Sequence, residues 1–235
     1  MVIAQAETLL VCLDFDGTLA ELNPDPYVVS MHPEAERAIR RLTAIPGTEV
    51  ALLTGRHLDG LNRVIPAGLD VTLVGSHGAE PGPTLNDDDL AYLDDIERQL
   101  NDIAVSPAYV EVKPYQRVLH VALVVDKQAA QDMLDAAAAL PARKITLGHN
   151  VVEFSAVDIT KGTWLAEHKR RFSATVFAGD DDTDETAMAA LGPTDLGIKV
   201  GLKPSLASHR VADVPAMAAF LTELADEREA WNAAH

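Results

Sequence analysis

Hydrophobic and polar positions follow two different patterns along this chain. In the first part, short apolar runs such as LLVCL, EVALLTGR and DVTLVGSHG alternate with apolar residues at helical spacing, for example Ala35, Ala38 and Leu42. These runs predict strands that are buried on both faces, and ATVFAGD and LGIKVG repeat the pattern later in the chain. Strands that alternate with helices are typical of an α/β domain with a parallel sheet.

The middle of the chain has a different pattern. The turn-rich stretch EPGPTLNDDD leads into a helical spacing of leucines, and AYVEVKP, RVLHVALVVD, KITLG and NVVEFSA are strand-like. An alanine-rich helix is predicted among these strands, and hairpins with helices on one face form an α+β module. We therefore predict an α/β core over residues 1–80 and 155–235, interrupted by an inserted α+β cap over residues 81–154.

The composition narrows the range of partners. The chain has 235 residues, of which 36 are acidic and 19 basic, and its formal charge is −17. Such a surface repels nucleic-acid backbones and anionic lipid, so we expect neither nucleic acid nor a membrane as partner. A phosphorylated small molecule remains compatible if a metal ion or local Lys and Arg residues reverse the field. The first residues lack the basic and long apolar pattern of a signal peptide, and the one cysteine, Cys12, lies within a predicted strand. We therefore expect a cytoplasmic monomer.

Polar groups follow the predicted strands of the core at the points where those strands end. The groups are Asp14 and Asp16, Thr54-Gly55-Arg56, His77-Gly78-Ala79-Glu80, and the run from Asp180 to Glu185, with Lys161 at the start of the preceding helix. Ligands of open α/β sheets bind beyond the carboxyl ends of the strands. Each group alone is compatible with turn chemistry, as Asp14 and Asp16 are with an Asx turn at Gly17. Their occurrence together predicts a functional site.

The residue types in this site suit phosphoryl transfer. Asp14, Asp180 and Asp184 repel one another unless a cation lies among them, and oxygen ligands favour Mg²⁺. One aspartate can attack phosphorus to form an acyl phosphate, while a second carboxyl group transfers the proton. The two aspartates after the first strand point to the same side, which suits this division of roles. The hydroxyl of Thr54 and the ammonium of Lys161 are available to hold the equatorial phosphoryl oxygens.

The motifs of the core and the cap are similar to those of a known superfamily. DFDGT, the threonine of LLTGR, Lys161 and GDDDTDE resemble, in this order, the four signature motifs of the haloacid dehalogenase superfamily of phosphatases. A cap between the second and third motifs resembles the C2 cap of its sugar phosphatases. GSHGAE, VEVK, His120, Glu153 before TKG, and GDDDTDE resemble the trehalose-6-phosphate phosphatases. The resemblance extends from Leu9 to Leu224 and implies a Rossmann-like core, a Mg²⁺ cofactor and a sugar phosphate as substrate.

The resemblance also implies a role for each matching position. Asp14 would be the nucleophile and a Mg²⁺ ligand, and Asp16 would be the acid and base and offer its backbone carbonyl to the metal. Thr54 and Lys161 would hold the transferring phosphoryl group. The remaining metal groups, as direct ligands or just behind them, would be Asp180, Asp181 and Asp184. The residues implied in sugar binding are Arg56, His77, Gly78 and Glu80 of the core and Glu111, Lys113, His120 and Glu153 of the cap.

The cap residues also have simpler interpretations. Glu111 and Lys113 fit a cross-strand surface pair. His120 lies within an apolar strand, where a single histidine is often structural. Glu153 lies between Val152 and Phe154, and its alternation with them also fits a carboxylate that faces solvent.

Together with this resemblance, the residues of the site predict a Mg²⁺-dependent phosphatase that acts through an aspartyl-phosphate intermediate. The resemblance implies that its substrate is trehalose 6-phosphate, which it would hydrolyse to trehalose and phosphate. Two positions depart from the family pattern: Ala122 stands where an arginine is common, and Glu21 where a proline is usual. The first leaves other esters open, namely sucrose 6-phosphate, a mannosyl-phosphoglycerate or a hexose phosphate. A phosphotransferase and a non-catalytic sugar-phosphate sensor on the same fold are further alternatives.

Overall fold

The chain forms two compact units. A computed structural model describes residues 1–23, 25, 27–148 and 150–235. The first unit combines Met1–Pro81 with Ile159–His235, and the second is Gly82–Asp158. The second unit runs a few residues past the cap predicted from the sequence. This extension has a physical reason, because the N–H of Ala156 donates to the carbonyl of Tyr115.

Helices and strands alternate in the first unit, whereas the second unit groups its strands into hairpins. The described strands are β1 (Leu9–Leu13), β2 (Thr48–Leu53), β3 (Thr72–Val74), β4 (Tyr109–Val112), β5 (Gln116–His120), β6 (Lys144–Gly148), β7 (Val151–Ser155), β8 (Ala174–Gly179), β9 (Leu196–Val200) and β10 (His209–Val211). The described α-helices are α1 (Pro33–Ala44), α2 (Leu58–Asn62), α3 (Asp87–Ile103), α4 (Lys127–Ala138), α5 (Lys161–His168), α6 (Glu185–Met188) and α7 (Val214–Ala234).

The first unit is built on a parallel sheet with the strand order β10-β9-β8-β1-β2-β3. Every residue of β1 is buried, because successive side chains enter the hydrophobic layers on opposite faces. Leu9 and Leu13 pack in the layer that contains α1 and α7, and Leu10 and Cys12 pack in the layer of α5 and α6. The α/β class and the parallel sheet predicted from the sequence are confirmed.

Side-chain caps fix where the helices of the first unit begin. The N–H of Thr163 donates to Oγ1 of Thr160 at 3.1 Å, and the N–H of Thr160 donates to Oγ1 of Thr163 at 2.9 Å. This reciprocal capping box starts α5 at Lys161, which the sequence also predicts as the start of a helix. At α7, Oδ1 of Asp213 accepts from the N–H of Ala216 at 2.9 Å.

A buried arginine joins the two chain segments of the first unit. Arg228 of α7 is fully buried, and its guanidinium donates to the carbonyl of Ala4 at 3.0 Å and to that of Ala6. It also donates to the carbonyl of Gly47 at 3.2 Å and lies over the ring of Trp231. These hydrogen bonds connect the beginning of the chain to the last helix. They also satisfy backbone carbonyls, which need a donor when they are buried.

The second unit is an antiparallel sheet with the strand order β4-β5-β7-β6 and helices on one face. The apolar layer under α3 and α4 includes Ile96, Met133, Leu119 and Phe154. Asn86 caps α3 in a capping box with Asp89. The pairing register sets Glu111, Val118, Glu153 and Thr146 side by side across the four strands, on positions that alternate with the apolar layer.

Some elements differ from the sequence-based expectation. The apolar run VLHVALVV predicts a long strand, but β5 ends at His120, which pairs with Val151, the first residue of β7. The N–H of Val121 still donates to the carbonyl of Asn150 at 3.0 Å, but Asn150 has φ +60° and lies in the turn before β7, so the ladder does not continue. Ala122 lies exposed in the turn that follows. The short edge strand β10 has mostly exposed residues and carries little apolar signal. Within the described part of the chain, no helix combines the length and apolar character needed to cross a membrane.

Candidate active site

The carboxyl ends of the parallel strands bring the predicted polar groups to one edge of the sheet. Asp14 follows β1, Thr54 follows β2, and Asp180 follows β8. The backbone N–H of Asp14 donates to the carbonyl of Ala178 at 2.9 Å, and that of Thr54 to the carbonyl of Val74 at 3.0 Å. The sheet register therefore continues into the site and sets the starting position of each side chain.

A lysine bridges two carboxylates at the centre of the site. Nζ of Lys161 lies 2.7 Å from Oδ1 of Asp14 and 2.7 Å from Oδ1 of Asp184. All three side chains are buried, and Lys161 is only 2% exposed. Because the lysine is the first residue of α5, the cap at Thr160 also determines where this ammonium lies.

The electrostatics of this cluster leave an excess of negative charge. Burial raises the pKa of Asp14; the charge of Lys161 opposes this rise, while Asp184 and Asp180 add to it. Burial lowers the pKa of Lys161, but the attraction of Asp14 and Asp184 outweighs that effect and raises it on balance, so the lysine stays charged. One ammonium thus faces three carboxylates, and a further cation would stabilise the group.

Three of these carboxylates have the arrangement of a metal site. Ligand oxygens of Asp14, Asp180 and Asp184 all lie within 4.8 Å of one another. Burial, followed by repulsion from Asp184 and Asp181, raises the pKa of Asp180 to about 6. A hard divalent cation suits an all-oxygen donor set of this kind, and Mg²⁺ binds through few carboxylates and keeps several waters. The residues present therefore fit the predicted metal.

The carboxylates of two other predicted metal residues, Asp181 and Asp16, pair with basic side chains outside the cluster. The carboxylate of Asp181 pairs with Nζ of Lys203, and both side chains are about half exposed. The backbone N–H of Asp181, by contrast, donates to Oδ2 of Asp184 at 2.9 Å and so helps to orient that carboxylate. Asp16 pairs with Arg56, as described below. The structure thus brings Asp14, Asp180 and Asp184 together as candidate carboxylate ligands, with Asp181 behind them.

Glycines make the close approach of the carboxylates possible. Gly17 has φ +75°, and a Cβ atom at this position would lie 2.4 Å from the carboxyl carbon of Asp180. A Cβ atom at Gly179 would lie 2.3 Å from the carboxyl carbon of Asp184. A side chain at either position would therefore clash with a carboxylate of the cluster. At Gly17 the positive φ also favours glycine.

The second carboxylate after β1 is held by an arginine. Nε of Arg56 lies 2.6 Å from Oδ2 of Asp16, and its Nη2 lies 2.7 Å from Oδ1. The guanidinium also lies over the ring of Phe15, with 5.6 Å between Cζ and the ring centroid. Thr54 is buried, and its Oγ1 accepts from the N–H of Arg56 at 3.2 Å. The predicted acid and base, Asp16, is thus oriented by a residue that the sequence assigned to the sugar.

The turn after β3 has an unusual backbone. Ser76, His77 and Gly78 have successive φ values of +51°, +56° and +105°. Oε2 of Glu80 accepts from the N–H of Leu58 at 2.9 Å and from Oγ of Ser76 at 3.2 Å. Glu80 therefore stabilises this turn, which places His77 beside the chain that follows β2.

A polar cluster occupies the face of the second unit's sheet that lies opposite its helices. Nζ of Lys113 lies 3.1 Å from Oε2 of Glu153 and 4.0 Å from Oε2 of Glu111. Nε2 of His120 lies 2.8 Å from Oε2 of Glu111. Lys113 and Glu153 are buried, and Glu111 and His120 are partly buried. Four predicted residues on three segments of the sheet thus form one connected group within this unit. Glu111 and Lys113 lie two residues apart on one segment, so the interpretation as a cross-strand pair is wrong.

Sequence reasoning missed two features around these groups. The ring of Tyr109 stacks on that of His120 with centroids 4.7 Å apart, and its position two residues before Glu111 on β4 is the signal that places both on one face. Lys199 is fully buried beside residues 180–185, here called the acidic loop, and its Nζ lies 3.0 Å from Oε1 of Glu185. A lysine within an apolar strand, as in LGIKV, is the corresponding signal.

Comparison with known families gives one family match. The model of the family described as trehalose-phosphatase matches residues 12–219. The chain is 31% identical over 237 residues to the bifunctional trehalose-6-phosphate synthase/phosphatase of Thermoproteus tenax, with 94% of this chain and 32% of that protein covered. It is 32% identical over 253 residues to the trehalose-phosphate phosphatase of Mycolicibacterium paratuberculosis, with 93% and 62% covered. The chain thus spans about a third and three fifths of these two relatives.

Solved structures share the fold. The C-terminal domain of the C. albicans trehalose-6-phosphate phosphatase superposes with a TM-score of 0.77 at 16% identity, with 95% of this chain and 94% of that chain covered. A haloacid dehalogenase-like hydrolase from B. subtilis superposes with a TM-score of 0.63 at 17% identity, with 92% and 99% covered. The haloacid dehalogenase-like core with an inserted cap, which the sequence predicts, is confirmed.

Proposed function

Because the chain belongs to the trehalose-phosphatase family, we propose that it is a Mg²⁺-dependent phosphatase that hydrolyses trehalose 6-phosphate to trehalose and inorganic phosphate. The observation that carries this proposal is the buried bridge from Asp14 through Lys161 to Asp184, with Asp180 beside it. The proposed nucleophile, the cation proposed to bind phosphate oxygens and the candidate metal site thus belong to one cluster.

In this proposal, Asp14, Asp180 and Asp184 hold the metal. When bound, Mg²⁺ would supply positive charge for the phosphoryl oxygens in an otherwise acidic protein. Lys161 would supply a second positive charge, and its two bonds to carboxylates keep the ammonium in place before substrate arrives. The hydroxyl of Thr54, buried at the end of β2, would donate to another phosphoryl oxygen.

Two carboxylates would divide the chemistry between them. A carboxylate oxygen of Asp14 attacks phosphorus, the bond from phosphorus to the sugar oxygen breaks, and Asp16 gives its proton to the leaving sugar oxygen. Asp16 then takes a proton from water, which attacks the phosphorus of the aspartyl phosphate. The bond to Asp14 breaks, and inorganic phosphate leaves. The two carboxylates have different partners, Lys161 for Asp14 and Arg56 for Asp16, which supports separate roles.

The polar cluster of the second unit would recognise the sugar. Hydroxyl groups need partners that donate and accept hydrogen bonds, and Lys113, Glu153, Glu111 and His120 offer both kinds. The parallel stack of Tyr109 on His120 gives this cluster a flat apolar wall, which suits the ring of a sugar. We also propose that the chain acts as a monomer in a reducing, cytoplasmic compartment, in keeping with its single buried cysteine.

A panel of phosphate esters tests this proposal. We expect phosphate release from trehalose 6-phosphate with Mg²⁺ to exceed that from sucrose 6-phosphate, a mannosyl-phosphoglycerate and glucose 6-phosphate. Asp14→Asn and metal-free protein are the controls, and both should show no release. Preferential release from another ester, still dependent on Asp14 and Mg²⁺, would support the mechanism but change the substrate. Such an outcome is compatible with the exposed Ala122, which stands where the family commonly has an arginine.

Two further outcomes would change the class of function. A rearranged sugar phosphate in place of free phosphate would indicate a phosphotransferase. Tight binding of an ester without any turnover would indicate a sensor. Product analysis by ion chromatography and calorimetric titration of the same esters distinguish these outcomes.

A further inference from the structure

A fully buried lysine lies behind the acidic loop and belongs to none of the groups assigned above. Lys199 is the fourth residue of β9, and its side chain has no exposed surface. Its Nζ lies 3.1 Å from the backbone carbonyl of Asp181 and 3.0 Å from Oε1 of Glu185. Burial of an ammonium group costs free energy unless its N–H groups donate hydrogen bonds. These two contacts therefore offset the cost of burying Lys199.

The contact with Asp181 connects Lys199 to the candidate metal ligands. Asp181 accepts from Lys199 through its carbonyl, and its own N–H donates to Oδ2 of Asp184. The other oxygen of Asp184 bonds to Lys161. Asp181 also directly follows Asp180, so the peptide that Lys199 holds lies between two of the three carboxylates of the cluster.

The contact with Glu185 fixes the far end of the same loop. Glu185 is the residue after Asp184, and its Oε2 accepts from Oγ of Ser205 at 3.1 Å and from the N–H of Leu206 at 2.8 Å. Lys199 therefore ties both ends of the turn from Asp181 to Glu185 to β9.

We propose that Lys199 is a positioning residue, which sets the affinity of the site for Mg²⁺ by holding the turn that carries Asp180 and Asp184. This inference rests on the proposed function, because it requires that these carboxylates bind Mg²⁺. Partners behind the direct ligands of a metal commonly change its affinity about 10- to 100-fold when they are removed.

The sign of the effect separates positioning from simple electrostatics. In Lys199→Met, a positive charge near the metal disappears, and Coulomb's law alone predicts tighter Mg²⁺ binding. Loss of the anchor predicts the opposite, and we expect Mg²⁺ to bind about tenfold more weakly. Calorimetric titration of the full chain with Mg²⁺, without substrate, measures this affinity independently of turnover.

Arg228→Met is the matched control. Arg228 is also a fully buried cation that bonds to backbone carbonyls, but it lies on α7 against the beginning of the chain. We expect Arg228→Met to lower the melting temperature, as Lys199→Met does, and to leave the Mg²⁺ affinity within twofold of the original chain. Weaker binding in Lys199→Met but not in Arg228→Met supports positioning.

Other outcomes overturn the inference. If folded Lys199→Met binds Mg²⁺ equally or more tightly, Lys199 does not position the site. If circular dichroism shows that this variant is unfolded, Lys199→Gln replaces it, because glutamine is neutral and too short to reach both partners. We then expect at least about threefold weaker binding, and equal or tighter binding again overturns the inference. If the unchanged chain binds no Mg²⁺, the metal assignment fails, and the inference fails with it.

Discussion

The guanidinium of Arg56 holds both carboxylate oxygens of Asp16, at 2.6 Å through Nε and 2.7 Å through Nη2. This bidentate pair fixes the plane of the carboxyl group that would exchange protons with the leaving sugar and with water. The family resemblance implies a sugar contact for Arg56. The pair predicts instead that much of the effect of Arg56 on catalysis passes through Asp16.

A double-mutant cycle distinguishes these two roles of Arg56. We expect Arg56→Ala to lower kcat/KM for trehalose 6-phosphate about 30-fold in the original chain, but less than threefold in an Asp16→Ala background. A sugar contact independent of Asp16 would cost the same factor in both backgrounds. Arg63→Ala serves as the control, because Arg63 is exposed and lies over the ring of Tyr27.

Removal of Lys161 should destabilise the protein in a way that Mg²⁺ repairs. Lys161→Met leaves Asp14 and Asp184 buried without their ammonium, and we expect the free energy of unfolding to fall by about 3 kcal/mol. Excess Mg²⁺ should raise the melting temperature of this variant more than that of the original chain. Lys169→Met removes a comparable partner from the buried Asp195 and should show no such rescue. Equal rescue of both variants would contradict the metal assignment.

The stabilising effect of Mg²⁺ should increase with pH. Burial and neighbouring carboxylates raise the pKa of Asp180 from its ordinary 3.8 to about 6. A carboxyl group with a raised pKa binds protons more tightly in the folded state, so the unfolding free energy of the metal-free protein falls as pH rises between these values. Mg²⁺ competes with the same proton. The increase in melting temperature caused by Mg²⁺ should therefore be small at about pH 5 and large above about pH 7.

Two variants of the acidic loop check the origin of this pH dependence. Asp180→Asn should remove most of the stabilisation by Mg²⁺ at every pH. Asp182→Asn changes an exposed neighbour in the same loop and should keep the dependence. A stabilisation by Mg²⁺ that is the same at both ends of the pH range would show that Asp180 does not titrate with the metal.

Gly17→Ala should damage the metal site through space as well as strain. The new Cβ atom would lie 2.4 Å from the carboxyl carbon of Asp180, and the backbone has φ +75°. We expect loss of Mg²⁺ binding in calorimetry and a drop of about 2 kcal/mol in the free energy of unfolding. Gly68→Ala is the matched control, because φ is +67° and a Cβ atom there would have no atom within 4 Å. It should lose about 1 kcal/mol and keep its Mg²⁺ affinity.

The cluster of the second unit should affect the sugar more than the phosphoryl chemistry. Glu153→Gln removes the charge that Lys113 contacts at 3.1 Å. We expect kcat/KM for trehalose 6-phosphate to fall about tenfold, with a much smaller change for p-nitrophenyl phosphate. Asp132→Asn, on the exposed side of α4, should change neither value. Equal losses on both esters would show that Glu153 does not recognise the sugar.

The sequence predicts the placement of groups that depend on the sheet, and it fails for partners that depend on loops. Asp14, Thr54 and Asp180 each follow a buried parallel strand, and strand direction alone brings their backbones to one edge. The partners of Asp16 and Asp181, namely Arg56 and Lys203, depend on side-chain conformation and on turns with no periodic pattern. The motifs therefore predict the type of chemistry, but they do not predict which side chains contact each other.

The limits of hydrophobic patterning appear in the second unit. VLHVALVV has the composition of one long strand, but pairing with β7 ends at His120, and register with a neighbour decides where a strand stops. The connection of Lys113 with Glu153 crosses 40 residues of sequence and arises from the order of β4, β5 and β7. Residue spacing in the sequence does not predict such a contact.

The position of β8 in the sheet has a consequence for folding during synthesis on the ribosome. β1 lies between β2 and β8, but the whole second unit is translated before β8 emerges. Until then, one edge of β1, a strand that is buried along its whole length in the folded protein, lacks its neighbour. A nascent chain paused within that insert therefore presents an open apolar edge to chaperones and has no reaction centre, because Lys161, Asp180 and Asp184 have not yet been made.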